Sequence, residues 1–121
     1  MTTFEWLLIG HLLGDWVLQN DWMAQNKQNG LFNRAIAIHA AVYTIILVFT
    51  LGIAHRDAAA APPYLAFAGA VFISHWIIDA SNLGLRWNRF FNQSELLFMR
   101  IAVDQILHLV VLAILVEWMV G

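Results

Sequence analysis

At 121 residues, with 61% hydrophobic and only 12% charged side chains, no cysteine and a formal net charge of −2, the chain is too apolar for a soluble domain of its length. Disulfide frameworks, thiolate nucleophiles and cysteine metal sites are excluded, and the lack of a basic run or stripe argues against nucleic acid as a partner. What remains is an all-α, polytopic membrane protein: a single domain over residues 1–121, with room for an antiparallel bundle of about four transmembrane helices at about 20 residues per crossing.

The first predicted segment runs from Thr3 to about Asn20, with Thr2 or Thr3 as N-cap and Glu5 in the first turn. No basic region precedes its apolar stretch, which carries Glu5, His11 and Asp15, so a cleaved signal peptide is not expected. A polar connection from Asp21 to Asn33 follows, in which Trp22 and Met23 suit a bilayer surface. Arg34 to Ala54 is the clearest crossing, interrupted by one ionisable residue, His39. Pro62-Pro63 closes a short turn that holds His55, Arg56 and Asp57, and His55 is expected to be solvated.

The third segment spans Pro63 to about Ser81 and carries His75 and Asp79 near its end. Asn82 to Glu95 mixes Arg86 and Arg89 with Trp87, Phe90 and Phe91, the pattern of a short amphipathic helix lying in the interface before the last crossing. The last segment extends from about Leu96 to Val120, with Ser94 as a candidate N-cap and Arg100, Asp104 and His108 one turn apart. Trp6, Trp16, Trp22, Trp76, Trp87 and Trp118 read as interfacial or packing aromatics.

Positive charge gives an orientation. Lys27, Arg34, Arg86, Arg89 and Arg100 fall on the side shared by the first and third connections, and Arg56 alone falls on the other. By the positive-inside tendency the shared side is cytoplasmic and both termini lie outside, which fits a multi-pass plasma-membrane protein.

The ionisable residues then converge. His11, Asp15 and Gln19 share one helix face because four residues make just over one turn, and the same spacing recurs as His75/Asp79 and Asp104/His108. Counted along antiparallel helices at about 1.5 Å per residue, His11, Asp15, His39, His75, Asp79, Asp104 and His108 all fall in the cytoplasmic half. Isolated ionisable groups are costly there, so they must pair, bind a cation or face water. A set of imidazoles and carboxylates suits Zn, Mn or Fe, with enough ligands for one or two ions.

Such an ion activates water for hydrolysis, with Asp15 and Gln105 as the candidate catalytic residues and Gln19 and Asp21 as outer or substrate contacts. The competing reading is local: His and Asp one turn apart hydrogen-bond each other and serve as interhelical glue. Arg100 either balances an Asp within the site or snorkels to the surface.

The run His11-Leu-Leu-Gly-Asp15, continued by Leu18-Gln19 and Asp21-Trp22-Met23-Ala24, followed by Lys27, His39, His75/Asp79 and Asp104-Gln105/His108, resembles a family of small bacterial integral membrane proteins classed as domain of unknown function 3307. The resemblance covers nearly the whole chain and implies a polytopic helical protein of bacteria or their phages, without a known activity. More loosely, intramembrane His and Asp pairs resemble those of membrane-bound metal-dependent hydrolases.

The leading expectation is therefore a membrane protein with a His/Asp divalent-metal site near the cytoplasmic side, acting as a hydrolase on a lipid-like or phosphate-containing substrate. An alternative is a small accessory subunit of a larger membrane complex that ligates a tetrapyrrole, haem or chlorophyll, through His. A third is transport of metal or protons, for which the outer halves of the helices offer few polar residues. Membrane lipid is the expected partner, and a second copy or a larger complex would help close a site built from so few helices.

Overall fold

The computed structural model describes residues 1–17, 32–81, 83–91 and 97–120, whose regular secondary structure is all helical, with no strand among the described residues. Helix α1 (Thr3–Leu12) continues into a π-helical turn, Leu13–Val17. Its start is set by a reciprocal cap: Thr2 Oγ1 accepts from the Glu5 amide at 3.1 Å, and Glu5 Oε2 accepts from the Thr2 amide at 2.8 Å. Helix α2 (Arg34–Ala54) begins where Asn33 Oδ1 accepts from the Ile36 amide at 2.8 Å. Helix α3 (Tyr64–Ser81) starts directly after Pro62-Pro63, whose fixed φ suits the entry to a helix. A short helix α4 (Leu83–Phe90) leads to α5 (Leu97–Leu115), which closes in a second π-helical turn, Val116–Val120.

The expected bounds of α2 coincide with the observed ones, and α3 starts one residue later than expected, at Tyr64. The amphipathic piece before the last crossing is α4, on which Arg86, Trp87, Arg89 and Phe90 are exposed. The proposed cap Ser94 and the end of the first segment, 18–20, lie outside the described residues. Three stretches, Arg34–Ala54, Tyr64–Ser81 and Ile101–Val120, are long and apolar enough to cross a membrane. The described part of the first segment, 3–17, is shorter than the about 20 residues a crossing takes.

Helix α2 lies between α1 and α3, and α5 closes the ring by packing on α3 and α1. Leu7, Leu47, Leu51, Phe67, Val71 and Leu112 interlock where α1 begins and α2 ends. The outward faces are apolar as well, with Ile9, Ile45, Phe49, Leu65, Ile73 and Ile106 exposed. An apolar interior and an apolar exterior together are what a hydrocarbon solvent requires. Hydroxyls of Thr44, Thr50 and Ser74 donate to carbonyls of their own helices, so they need no partner across the bundle.

Two glycines set the distance between α1 and α2. A Cβ at Gly10 would stand 2.6 Å from Thr50 Oγ1 and 3.0 Å from Leu47 Cδ2, and one at Gly14 would stand 3.0 Å from Tyr43 Cδ2 and 3.2 Å from Tyr43 Cα. Small residues four apart let helix backbones approach closely in membranes. His11 and Asp15 each follow one of these glycines, so the close approach carries both into the interior.

Candidate metal centre

At the end of the bundle where α2 begins and α3 ends, polar residues from four helices replace the apolar core. Asp15 comes from the π turn of α1, His39 and Tyr43 from successive turns of α2, His75 and Asp79 from successive turns of α3, and Gln105 and His108 from α5. The π turn widens the helix at Asp15. An α-helical register puts His11 and Asp15 one above the other, and the widened turn changes the direction in which Asp15 points relative to His11.

Three imidazole Nε2 atoms surround two carboxylates. His39 Nε2 stands 3.1 Å from Asp15 Oδ1 and 3.1 Å from Asp79 Oδ2. His75 Nε2 is 3.2 Å from Asp79 Oδ2 and 3.8 Å from Asp15 Oδ1, and His108 Nε2 is 3.1 Å from Asp79 Oδ1 and 4.0 Å from Asp15 Oδ2. One ligand atom from each of Asp15, His75, Asp79 and His108 can be chosen so that all lie within 4.8 Å of one another, and all four residues are buried. His75 is the most telling member. It is 2% exposed, its Nε2 faces the acids at 3.2 Å from Asp79 Oδ2, and its Nδ1 has no hydrogen-bond partner. A buried imidazole aimed between two carboxylates has the donor chemistry of a metal ligand. Two ionised carboxylates would carry the charge that one divalent cation balances.

The family described as protein of unknown function, DUF3307, matches residues 3–121. The chain belongs to this family. No curated protein and no solved structure matches it.

Of the residues expected to meet, the structure brings together Asp15, His39, His75, Asp79 and His108. His11 and Asp104 stand one step outside. His11 Nδ1 is 2.8 Å from the Tyr43 hydroxyl and its Nε2 is 2.6 Å from Gln105 Oε1, so both nitrogens are engaged away from the acids. Asp104 Oδ2 is 3.9 Å from His108 Nε2 and its side chain is 25% exposed, which places it at the rim. Gln105 joins the two layers, with Nε2 donating to Asp15 Oδ2 at 2.9 Å. Gln19 and Asp21 lie outside the described residues, and nothing is described of the Arg100 side chain. His55 is half-buried, and its Nδ1 lies 3.3 Å from the Leu51 carbonyl at the end of α2, remote from the acids in sequence and depth.

Tyr43 is the participant that the His and Asp spacing does not reveal. Its ring lies flat against His75, with centroids 3.8 Å apart and planes 15° apart, while its hydroxyl meets His11. The signal was present in the sequence, since Tyr43 is four residues after His39 and shares its helix face.

Proposed function

We propose that this protein holds a divalent metal ion, Zn2+, Mn2+ or Fe2+, at Asp15, His75, Asp79 and His108, and that it is a hydrolase acting on an ester or phosphate bond of a lipid-like substrate. The observation that carries the metal is the convergence of those four ligand atoms within 4.8 Å in a buried setting. A bound ion of this kind lowers the pKa of water towards neutrality and polarises a carbonyl or phosphoryl oxygen. His39 donates to Asp15 and stands equally close to Asp79, so it holds the two acids apart at the spacing a shared ion needs. Asp104 stands at the rim on the Arg34 end of α2, where cations and polar head groups would enter. By the distribution of basic residues that end faces the cytoplasm.

The tetrapyrrole reading finds less support. The imidazoles face one another, with His39 and His75 ring centroids 4.8 Å apart and His75 and His108 centroids 4.5 Å apart, so no macrocycle fits between them. The cavity lined by Tyr43, His75 and His108 has a volume of ≈ 10 Å³, room for about one water molecule. Transport across the bundle would have to pass the buried hydrophobic cluster of Leu7, Leu47, Phe67 and Leu112, in which no ionisable His or Asp stands among the described residues.

Metal content of the detergent-purified protein decides the matter. About one ion per chain is expected for the wild type, and almost none for the His75→Ala/His108→Ala double variant. Equal, negligible metal in both would sink the proposal. The hydrolase half is tested separately, by release of product from a fluorogenic ester or phosphodiester lipid before stripping, after chelation and after restoring Zn2+. Turnover that ignores chelation overturns it.

A further inference from the structure

Hydrogen bonds around His11 have directions fixed by chemistry. Gln105 Nε2 stands 2.9 Å from Asp15 Oδ2 and 3.4 Å from Asp104 Oδ2, while its Oε1 stands 2.6 Å from His11 Nε2. Carboxylate oxygens accept, so the amide end facing two of them is the NH2, and both of its N–H bonds are used. Turning the amide over would set a carbonyl oxygen against two carboxylates. Oε1 therefore faces His11, and His11 Nε2 carries a proton to donate. The other nitrogen of a neutral imidazole is then an acceptor, and the Tyr43 hydroxyl, 2.8 Å away, donates to it.

We propose that Tyr43, His11 and Gln105 form a one-way chain of donors that ends on Asp15 and positions this carboxylate for the metal, so that His11 is a positioning residue and not a ligand. The direction of the chain stands on hydrogen-bond chemistry alone; its consequence for metal rests on the metal site proposed above. Tyr43 O–H donates to His11 Nδ1, His11 Nε2–H to Gln105 Oε1, and Gln105 Nε2–H to Asp15 Oδ2. From the other side His39 Nε2–H donates to Asp15 Oδ1 at 3.1 Å. Both carboxylate oxygens are pinned, and each keeps a lone pair for a cation. His11, with one nitrogen protonated and the other accepting, has no lone pair left to give.

Tyr43 contributes in two separable ways. Its hydroxyl opens the chain, and its ring packs flat on His75. Tyr43→Phe removes the first contribution and keeps the second, whereas Tyr43→Leu removes both.

Nitrogen-15 NMR of histidine-labelled, metal-free, full-length protein reads the direction. A neutral imidazole protonated at Nε2, with a hydrogen-bonded acceptor Nδ1, is expected and is assigned to His11 by its loss in His11→Gln. In Tyr43→Phe that Nδ1 resonance moves towards its unbonded position while the other histidine resonances hold, which confirms that the fold survives. Zn2+ titration reads the consequence: affinity falls by about 3–10-fold in Tyr43→Phe and about 10–100-fold in Gln105→Leu, as expected for outer partners of a metal ligand. His11 protonated at Nδ1 in the wild type overturns the chain. So does Zn2+ affinity unchanged in both variants. A wild type that binds no Zn2+ sinks the metal site instead, and the His11 tautomer then decides on the direction of the chain by itself.

Discussion

The helices that build this protein have two unlike halves. Where α1 begins and α2 ends, Leu7, Leu47, Leu51, Phe67 and Leu112 are 0–1% exposed and form one hydrophobic cluster. One to three turns away on the same helices, His11, Asp15, His39, His75, Asp79 and His108 are buried just as completely. In lipid, apolar side chains gain little by leaving one hydrocarbon for another, so the first half holds by close packing. In the second half every unpaired polar group is costly, so position and direction matter as well as fit. The apolar half sets how far apart the helices stand, and the polar half spends that geometry on a site. Substitutions in the two halves should accordingly separate stability from chemistry.

The largest separation is expected at Asp79, which all three converging imidazoles approach. Asp79→Asn should reduce bound metal to background, a greater loss than the about 10–100-fold that follows removal of an outer partner. In the metal-free protein the same change removes one of two neighbouring buried charges, so thermal unfolding should show no loss of stability. A metal-free Asp79→Asn protein much less stable than metal-free wild type would mean that the acids are structural glue. Next in size is the effect of metal itself. Free ion at about 100 times its Kd should stabilise the wild type by about 2.7 kcal/mol, and calorimetry should find no such gain in Asp79→Asn. The apolar half should behave in reverse. Phe67→Ala opens a cavity among Leu7, Leu47 and Leu112 and should cost about 1–3 kcal/mol, mostly as lost packing, with Zn2+ affinity changed less than about threefold.

The two halves were unequally legible in the sequence. Length, apolar content and a Thr2 or Thr3 cap were enough to place the start of α1, and an apolar run broken only by His39 was enough to place α2, because caps and hydrophobic runs are local signals. The polar half was legible as a set, through the spacing of four that repeats in His11/Asp15, His75/Asp79 and Asp104/His108. Its division into inner and outer layers was not. Whether His11 meets an acid or an amide depends on the π turn after it and on which α5 residue lies opposite, and both are tertiary facts. Tyr43 escaped because a search for metal ligands passes over a phenol, although its spacing from His39 marks it. The glycine pair Gly10/Gly14 was also present in the sequence, and its meaning appears only once Tyr43 and Thr50 are seen across the interface.

That glycine pair offers the finest test of the division, because the same substitution can be made once in each half on the same helix face. At Gly10 an added methyl group meets Thr50 Oγ1 and the end of Leu47, both side-chain atoms of the apolar half. At Gly14 it meets the Tyr43 ring and, at 3.2 Å, the Tyr43 Cα, which cannot turn aside. Gly10→Ala should therefore lower thermal stability by about 1 kcal/mol through crowding and leave Zn2+ affinity nearly as it was. Gly14→Ala should crowd to a similar degree but push α1 away from α2 beside Asp15 and tilt the Tyr43 ring that lies on His75, so Zn2+ affinity should fall about tenfold, or about 1.4 kcal/mol. Isothermal titration of both variants, with unfolding followed in parallel, separates the outcomes. Equal losses of affinity at the two positions would show that the helix spacing acts as one rigid unit, and the division between packing and site would fail.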